Sequence, residues 1–331
     1  MVTIPEHMRA YQLIGHGGPE MLRLVTDGPT PKTRVGEVLI HVGAAGLNNT
    51  DINTRVGWYS KGDAQAEDAS WGGGTVQFPR IQGADICGIV VEVGEGADTA
   101  LLGKRALVEP CLREVAGQSL ELPWYIGSEC DGGFADYVIG AARHTYPIDS
   151  ALSNAELASF PCSYSTAENM LTRAQVDDSD TLLITGASGG VGSAAIQLAK
   201  ARGARVLAVA GESKHQSVLD AGVDVVIDLV GGPDWPELLN VLRPLGRYAV
   251  SGAIAGPIVD LDLRTLYLKD QRFLGCTVLD EGVFTRLVNL IELGAIQPLL
   301  ARSFPCEALP DAQECFLTKQ FTGKLVVDMS M

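Results

Sequence analysis

Four polar residues in a row, Asn48-Asn49-Thr50-Asp51, directly follow an apolar, strand-like segment that covers residues 37–47. Amide and hydroxyl groups at such a point can donate hydrogen bonds to an oxygen atom that gains negative charge during a reaction. Asn, Thr and Asp are also favoured at the start of a helix, where they cap free backbone N–H groups. The pattern therefore predicts either part of an active site or a helix cap, and for Asp51 the two interpretations are equally good.

A glycine-rich segment, residues 186–192, lies between a strand-like segment and a helix-like one. It is close to the dinucleotide-binding pattern G-x-G-x-x-G, with the second glycine displaced by one position. Glycine lets the backbone turn sharply and approach a pyrophosphate, whose charge the free N–H groups at the helix start bind. A packing turn is the alternative, but the strand–turn–helix context favours a nucleotide. The predicted cofactor-binding residues of this turn are Gly186, Ser188, Gly189, Gly190, Val191 and Gly192.

The strand that follows this helix bears on which nucleotide is bound. An acidic residue at its end would bind a ribose 2′-hydroxyl group, but no carboxylate occurs before Glu212. Ser213 and Lys214 come next, and Lys214 can pair with a 2′-phosphate. This arrangement favours NADPH, although Glu212 would repel that phosphate if it faced it. An ordinary solvated helix position is the alternative for Lys214.

The pattern of elements changes near residue 150. Residues 8–145 contain short segments rich in Val and Ile, separated by Gly, Pro or Asp, which is typical of strands. Beyond them strands and helices alternate, which predicts a parallel sheet with helices on both faces. After residue 305 loop and strand patterns return, and we expect this tail to rejoin the first domain. The sequence thus predicts two domains, residues 1–147 with 305–331, and residues 148–304.

Composition restricts the partners and the compartment. The 331-residue chain has a formal net charge of −15, which argues against binding to nucleic acid or to anionic membranes. No apolar run reaches the roughly 18 residues that would span a bilayer, and the first residues do not resemble a secretory signal. The seven cysteines are scattered and none forms a C-x-x-C pair. These features predict a reduced, cytoplasmic protein without a self-contained zinc knuckle.

Three segments together resemble the medium-chain dehydrogenase/reductase superfamily, and most of all its zinc-independent quinone oxidoreductase branch. They are GLNNTD (46–51), ASGGVGSAAIQLAKARGARV (187–206) and GKLVV (323–327). The resemblance implies an α/β fold in which a GroES-like β-barrel domain precedes a Rossmann domain with a doubly wound parallel sheet. It also implies reduction of a quinone or an α,β-unsaturated carbonyl compound by NADPH. A homodimer formed through sheet edges or through residues 271–279 is a further implication.

The zinc enzymes of this superfamily hold their catalytic metal with two cysteines and a histidine at matching positions. Here Asn48 replaces the first cysteine and Ala84 replaces the histidine, so that only Cys162 matches a ligand. One thiolate and one amide do not make a zinc site, which needs three good donors. We therefore predict no catalytic metal, and a packing role for Cys162.

The resemblance also implies roles for individual residues. Asn48 would lie beside the nicotinamide, and with Thr50 it would stabilise an oxyanion, while Asp51 would orient its neighbours. Tyr59 would donate a proton or shape the pocket. The further residues that the resemblance places near the cofactor are Thr166, Ser251, Gly252 and Lys324. Alternative functions are an alcohol dehydrogenase-like reaction, enoyl-thioester reduction, or non-catalytic NADP binding by a sensor protein.

One departure from the superfamily lies near residue 223. Residues 221–223 run directly into the strand-like residues 224–228, where the superfamily has an additional strand. Crossing two neighbouring strands needs at least about 10 Å, and three extended residues cover only about 10 Å. We therefore expect that the Rossmann sheet lacks its third strand, or that the sequence omits an internal segment.

Overall fold

The computed structural model describes residues 3–60, 70–209 and 222–331. The chain forms two compact units, residues 1–162 with 298–331, and residues 163–297. Compared with the predicted domains, residues 148–162 and 298–304 belong to the first unit. No helix in the described ranges is long and apolar enough to span a lipid bilayer.

The first unit is built mainly of antiparallel strands. Its elements up to residue 157 are β1 (His7–Leu13), β2 (Leu22–Pro29), β3 (Glu37–Gly46), α1 (Asn49–Arg55), β4 (Arg80–Ile81), β5 (Asp85–Val93), β6 (Arg105–Val108), β7 (Cys111–Val115), β8 (Gln118–Tyr125), β9 (Tyr137–Ala141), β10 (Thr145–Pro147) and α2 (Asn154–Leu157). Strand β3 is central because it pairs antiparallel with both β5 and β9. Most of its residues are buried, as its apolar sequence predicts.

The second unit alternates strands and helices. Its elements are α3 (Pro161–Arg173), which begins in the first unit, then β11 (Thr181–Ile184), α4 (Gly190–Ala201), β12 (Arg205–Ala208), β13 (Val223–Asp228), α5 (Trp235–Asn240), β14 (Leu242–Val250), α6 (Leu263–Leu268), β15 (Arg272–Gly275) and α7 (Val283–Glu292). The strands form one parallel sheet in the order β12-β11-β13-β14-β15. Its inner strands are almost continuously apolar and buried, as expected of strands covered on both faces. The predicted α/β architecture is confirmed.

Strand β12 forms one edge of this sheet as the described residues show it. Within the described ranges β12 is the outermost strand, and the next strand, β13, lies on the other side of β11. Residues 210–221, between β12 and β13, lie outside the described residues.

The C-terminal segment returns to the first unit, as predicted. It contains β16 (Leu300–Pro305), α8 (Leu309–Thr318) and β17 (Lys324–Asp328). Strand β17 pairs antiparallel with β3, with Val326 opposite Gly46, and the Leu47 N–H donates to the Leu325 carbonyl at 2.9 Å. The same register, continued by two residues, brings Lys324 beside Asn48. The end of the chain thereby supplies a side chain to the segment that follows β3.

Candidate active site

The start of helix α1 combines the two roles that its sequence suggests. Asn48 is the N-cap residue, with an extended φ of −136°. The Asp51 carboxyl group accepts hydrogen bonds from the backbone N–H groups of Asn48 at 2.7 Å and of Gly83 at 3.1 Å. Asp51 therefore caps the helix and also ties it to the residues that precede β5.

Burial shifts the protonation of this carboxyl group. Asp51 is 3% exposed, and the loss of hydration raises its pKa to about 7, although the two N–H donors and the nearby Lys324 ammonium group oppose the rise. Burial outweighs these three favourable contacts because an ionised carboxylate loses most of its solvation in the interior. The Asp51 carboxyl group consequently changes between its protonated and ionised forms near neutral pH.

The amide group of Asn48 has a charged partner on each side. Its Oδ1 atom accepts a hydrogen bond from Lys324 Nζ, and its Nδ2 atom donates to Asp85 Oδ2 at 2.9 Å. An ammonium group can only donate and an ionised carboxylate can only accept, so these partners define which end of the amide is oxygen. Asn48 is 7% exposed.

Lys324 and Asp85 form a buried ion pair. Lys324 Nζ lies 2.7 Å from Asp85 Oδ2 and donates to the Leu47 carbonyl at 2.8 Å. The other oxygen of Asp85 accepts the backbone N–H of Cys162. We call the side chains of Asn48, Asp85 and Lys324 the Lys324 cluster. Its ammonium group donates hydrogen bonds to Asn48 Oδ1 and to the Leu47 carbonyl, and its charge is paired with Asp85, all within the first unit.

Cys162 is a buried thiol next to this cluster. Tyr125 donates its hydroxyl hydrogen to Cys162 Sγ at 2.9 Å. Burial raises the pKa of the Cys162 thiol to about 12, so the sulfur is protonated at neutral pH. The backbone N–H of Cys162 donates to Asp85 Oδ1 and so helps to fix the position of that carboxylate.

Tyr59 and Thr50 lie at opposite ends of the α1 region. Thr50 is half-buried in the first turn of the helix. Burial raises the pKa of Tyr59 above its ordinary value, and the hydroxyl group is hydrogen-bonded to the Asn53 side chain. Trp58 packs edge-on against the Tyr59 ring, with centroids 5.5 Å apart. Residues 61–69 lie outside the described residues. Trp71, in the segment after them, stacks on Tyr125 with ring centroids 4.8 Å apart.

The glycine-rich turn has the backbone geometry that its sequence predicts. Gly186 has a φ of +58°, in the left-handed region that favours glycine. A Cβ atom at Gly192 would lie 2.3 Å from the Gly186 carbonyl oxygen, so only glycine allows helix α4 to start this close to β11. The first backbone bond of the helix runs from the Ser193 N–H to the Gly189 carbonyl at 2.9 Å. The preceding N–H groups of the first turn are therefore outside the helical ladder and can bind an anion.

Other backbone segments lie beside this turn at the carboxyl ends of the strands. Val230 faces Gly186: a Cβ atom added at Gly186 would lie 3.4 Å from the Val230 side chain. Gly252 lies close to Leu229: a Cβ atom added at Gly252 would lie 2.9 Å from the Leu229 carbonyl oxygen. The Ser251 N–H donates to the Asp228 carbonyl at 3.2 Å. Ligands bind at this edge in doubly wound sheets, and the predicted residues Ser251 and Gly252 lie there.

Two carboxylates that position these segments were missed by the sequence patterns. Asp228 is fully buried at the end of β13, where it accepts the Thr185 hydroxyl at 2.7 Å and the Val230 N–H at 3.0 Å. Asp85 is fully buried at the start of β5. In both cases the sequence shows a carboxylate at one end of an apolar strand. Such a residue could have been predicted to organise its surroundings, because a buried charge needs hydrogen-bonding partners.

The remaining predicted cofactor residues are placed as follows. Thr166 lies half-buried on α3, between residues that are buried. Ser213 and Lys214 lie outside the described residues.

Comparisons with known proteins identify the family. A solved structure from Sinorhizobium meliloti 1021, of a protein classed with the alcohol dehydrogenases, is 42% identical and covers 99% of this chain and 98% of its own, with a TM-score of 0.88. Residues 34–150 match the alcohol dehydrogenase GroES-like domain, and residues 200–327 match the zinc-binding dehydrogenase family. The chain belongs to the medium-chain dehydrogenase/reductase superfamily. This confirms the resemblance drawn from the three sequence segments.

Within the superfamily, two relatives with different activities are equally similar to this chain. The quinone oxidoreductase of Rattus norvegicus is 27% identical over 95% of both chains. The NAD-dependent alcohol dehydrogenase of Sulfolobus acidocaldarius is also 27% identical, over 98% of this chain and all of its own. The protein is therefore an oxidoreductase of the superfamily, and its nicotinamide cofactor is a family property.

Proposed function

We propose that this protein reduces a quinone or an α,β-unsaturated carbonyl compound with NADPH and without a catalytic metal ion. The observation that carries the proposal is the Lys324 cluster. It places a buried ammonium group between Asn48 and Asp85, in the region where the zinc enzymes of the superfamily hold their metal.

The donor atoms in this region do not suit zinc. A catalytic zinc site needs three nitrogen, sulfur or oxygen ligands and an open position. Here the Lys324 ammonium group already occupies the Asn48 oxygen and neutralises Asp85, and it would repel a second cation. The Cys162 thiol, with its pKa raised to about 12, is not a thiolate at neutral pH. No group of three or more His, Cys, Asp and Glu side chains in the described ranges could hold a metal ion.

The side chains of Asn48, Thr50 and Tyr59, in and beside α1, can perform the proton and charge chemistry of such a reduction. NADPH supplies a hydride when it is bound, and that hydride would add to an electrophilic carbon of the acceptor. The acceptor oxygen then gains negative charge, which hydrogen bonds from Asn48 and Thr50 would stabilise. A proton would come from Tyr59 or from water. The raised pKa of Tyr59 keeps its hydroxyl group protonated and able to donate.

The preference for NADPH rests on different residues. The glycine turn suits the pyrophosphate of either nucleotide, because its backbone N–H groups bind charge without reading the ribose. The discriminating residues are Ser213 and Lys214, of which Lys214 would pair with the 2′-phosphate. No carboxylate before Glu212 competes for that position.

A fluorescence titration of the purified protein with NADPH and with NADH tests the proposal. We expect tighter binding of NADPH, and an affinity loss of about tenfold in Lys214→Ala for NADPH only, which corresponds to about 1.4 kcal/mol. Lys200→Ala, an exposed lysine in the last turn of α4, is the matched control and should bind like the wild type. Equal affinities that Lys214→Ala leaves unchanged would contradict the preference, and absence of binding would contradict the reductase function.

Alcohol oxidation is the second candidate, because one alcohol dehydrogenase is as similar to this chain as the quinone oxidoreductase and the 42% identical solved structure is classed with the alcohol dehydrogenases. Elemental analysis separates the two. About one zinc ion per chain would favour alcohol oxidation, whereas NADPH-dependent turnover of quinones by zinc-free protein would support the proposed reduction. Tight NADPH binding without turnover of quinones, enones or alcohols would indicate a sensor.

We also propose that the protein forms a homodimer through its second unit. Strand β15 is at one edge of the described sheet, and the neighbouring helix α6 has no buried residue. Its Leu263, Tyr267 and Leu268 are 63%, 60% and 71% exposed. An apolar helix surface beside an open sheet edge is typical of an interface.

A further inference from the structure

The Lys324 cluster permits only one orientation of the Asn48 amide group. The two ends of an amide have nearly the same shape, so packing alone does not distinguish them. A rotation by 180° would set the Asn48 NH₂ group against the Lys324 ammonium group and its oxygen against the Asp85 carboxylate. Both contacts would be repulsive, and they would be formed at buried positions where charges interact strongly.

This orientation leaves one weakly held hydrogen on Asn48. Nδ2 carries two hydrogens, of which one is donated to Asp85 at 2.9 Å. The nearest other acceptor is the Gly46 carbonyl at 3.4 Å, which is long for a hydrogen bond. An incoming oxygen could therefore take over this hydrogen at little cost. The hydrogen bond from Lys324 to Asn48 Oδ1 also polarises the amide and strengthens its N–H donors.

We propose that Lys324 and Asp85 are positioning residues for the reduction, which hold the Asn48 amide with its second N–H available to the acceptor oxygen and polarise it for that contact. The inference rests on the proposed function. Neither residue touches the acceptor, and both act through Asn48. The ammonium group thus provides positive charge in a place where zinc enzymes use a metal ion.

The alternative is that the ion pair only stabilises the fold, and single substitutions cannot separate the two roles. Lys324→Met would leave the Asp85 carboxylate buried without its counter-ion, which is strongly destabilising. The double variant Asp85→Asn/Lys324→Met removes both charges and keeps the side chains close to their original size. An asparagine at position 85 can face Asn48 with either its oxygen or its nitrogen, so the double variant restores neutrality without restoring the orientation.

The decisive measurement compares the melting temperature with kcat for the two variants. We expect the double variant to recover most of the thermal stability lost in Lys324→Met. Its kcat should nevertheless stay about 10- to 100-fold lower than that of the wild type, while its KM for NADPH should be unchanged. This loss is smaller than the one expected when an oxyanion donor is removed altogether. Arg80→Met/Asp131→Asn removes another ion pair of the first unit, 2.8 Å long, and should leave kcat unchanged. Recovery of kcat together with stability would show that the pair is only structural and would overturn the proposal.

A second readout does not depend on activity. In protein labelled with ¹⁵N-asparagine, the side-chain amide signals of Asn48 can be assigned by their loss in Asn48→Asp. We expect one set of Asn48 signals in the wild type. In the double variant we expect two sets of Asn48 signals, or one strongly shifted set, besides the set that the asparagine introduced at position 85 adds. Unchanged signals would overturn the proposal. If the wild type reduces no acceptor, the proposed function fails, and the amide signals still decide whether Lys324 and Asp85 orient Asn48.

Discussion

A single carboxyl group, that of Asp51, couples protonation to stability in the first unit. Its pKa is raised from 3.8 to about 7 in the folded chain. Between these values the folded protein holds a proton that the unfolded chain has released. The folded state then binds more protons than the unfolded state, so the free energy of unfolding must fall as the pH rises through this window.

We therefore predict a specific pH effect of Asp51→Asn. Between pH 3.8 and about 7, the titration of Asp51 should lower the free energy of unfolding by about 1.4 kcal/mol per pH unit. The variant should not show this decrease. Urea denaturation at about pH 4.5 and about pH 7.5 measures it as the difference between the slopes of the two proteins. The variant should also be less stable at pH 4.5, because an amide has one acceptor where Asp51 has two.

Asp131→Asn is the control for this experiment, because Asp131 is a half-exposed carboxylate of the same unit. Equal slopes for Asp51→Asn and wild type would contradict the assignment of the titration to Asp51.

Among the residues of the candidate site, the sequence indicates Asn48 to Asp51 but not their links to Asp85 and Lys324. The cluster of polar residues at 48–51 was visible because four such residues directly follow an apolar strand. The link from Asn48 to Asp85 and Lys324 was not, since it depends on the pairing of β17 with β3, whose residues are separated by almost the whole chain. Local patterns carry no information on which distant strands become neighbours, so Lys324 was assigned to the cofactor from the resemblance alone.

The turn between β11 and α4 is an element in which two glycines have different functions. A Cβ atom at Gly192 would come within 2.3 Å of the Gly186 carbonyl oxygen and 2.8 Å of the Ala187 Cα atom. Both are backbone atoms, so the helix itself would have to move. At Gly189 the nearest atom would be 3.4 Å away, and its φ of −76° suits any residue.

We predict that alanine at these two positions separates folding from binding. Gly192→Ala should lower the free energy of unfolding by about 1–3 kcal/mol, as overpacking does in well-packed interiors. Gly189→Ala should cost less than about 1 kcal/mol, the usual effect of a poorer N-cap residue. It should still weaken NADPH binding, because its methyl group would lie on the exposed side of the turn that faces a pyrophosphate. Denaturation of the nucleotide-free protein and NADPH titration measure the two effects, and equal stability losses would contradict the assignment.

At the level of elements, sequence patterns predicted the second unit better than the boundary between the units. Parallel strands covered on both faces are continuously apolar and are separated by helices, and β11 and β13 fit this pattern. The predicted boundary at residue 147 followed a change of pattern, from strands to helices. In the structure α2 packs against β3, β5 and β17, and the first unit therefore extends through this helix to residue 162.

The surface of the whole molecule combines a large negative charge with a concentrated apolar region. A formal net charge of −15 opposes non-specific association between copies of the chain. The apolar side chains of α6 are exposed despite this acidity, next to β15 and its partly exposed Phe273. In the proposed homodimer a specific contact has to overcome the repulsion between like charges, and α6 with β15 is one surface of the described residues that can provide it.

The proposed homodimer predicts that light scattering of the eluted protein gives about twice the 35.0 kDa mass of one chain. Leu268→Asp places a charge at an apolar position that is 71% exposed in the single chain. In a dimer that charge would be buried without a partner, which costs several kcal/mol, so the variant should elute as a monomer. Leu293→Asp changes another exposed leucine of the second unit, at the end of α7, and should remain dimeric. A monomeric wild type, or dissociation by both substitutions alike, would contradict an interface built on α6 and β15.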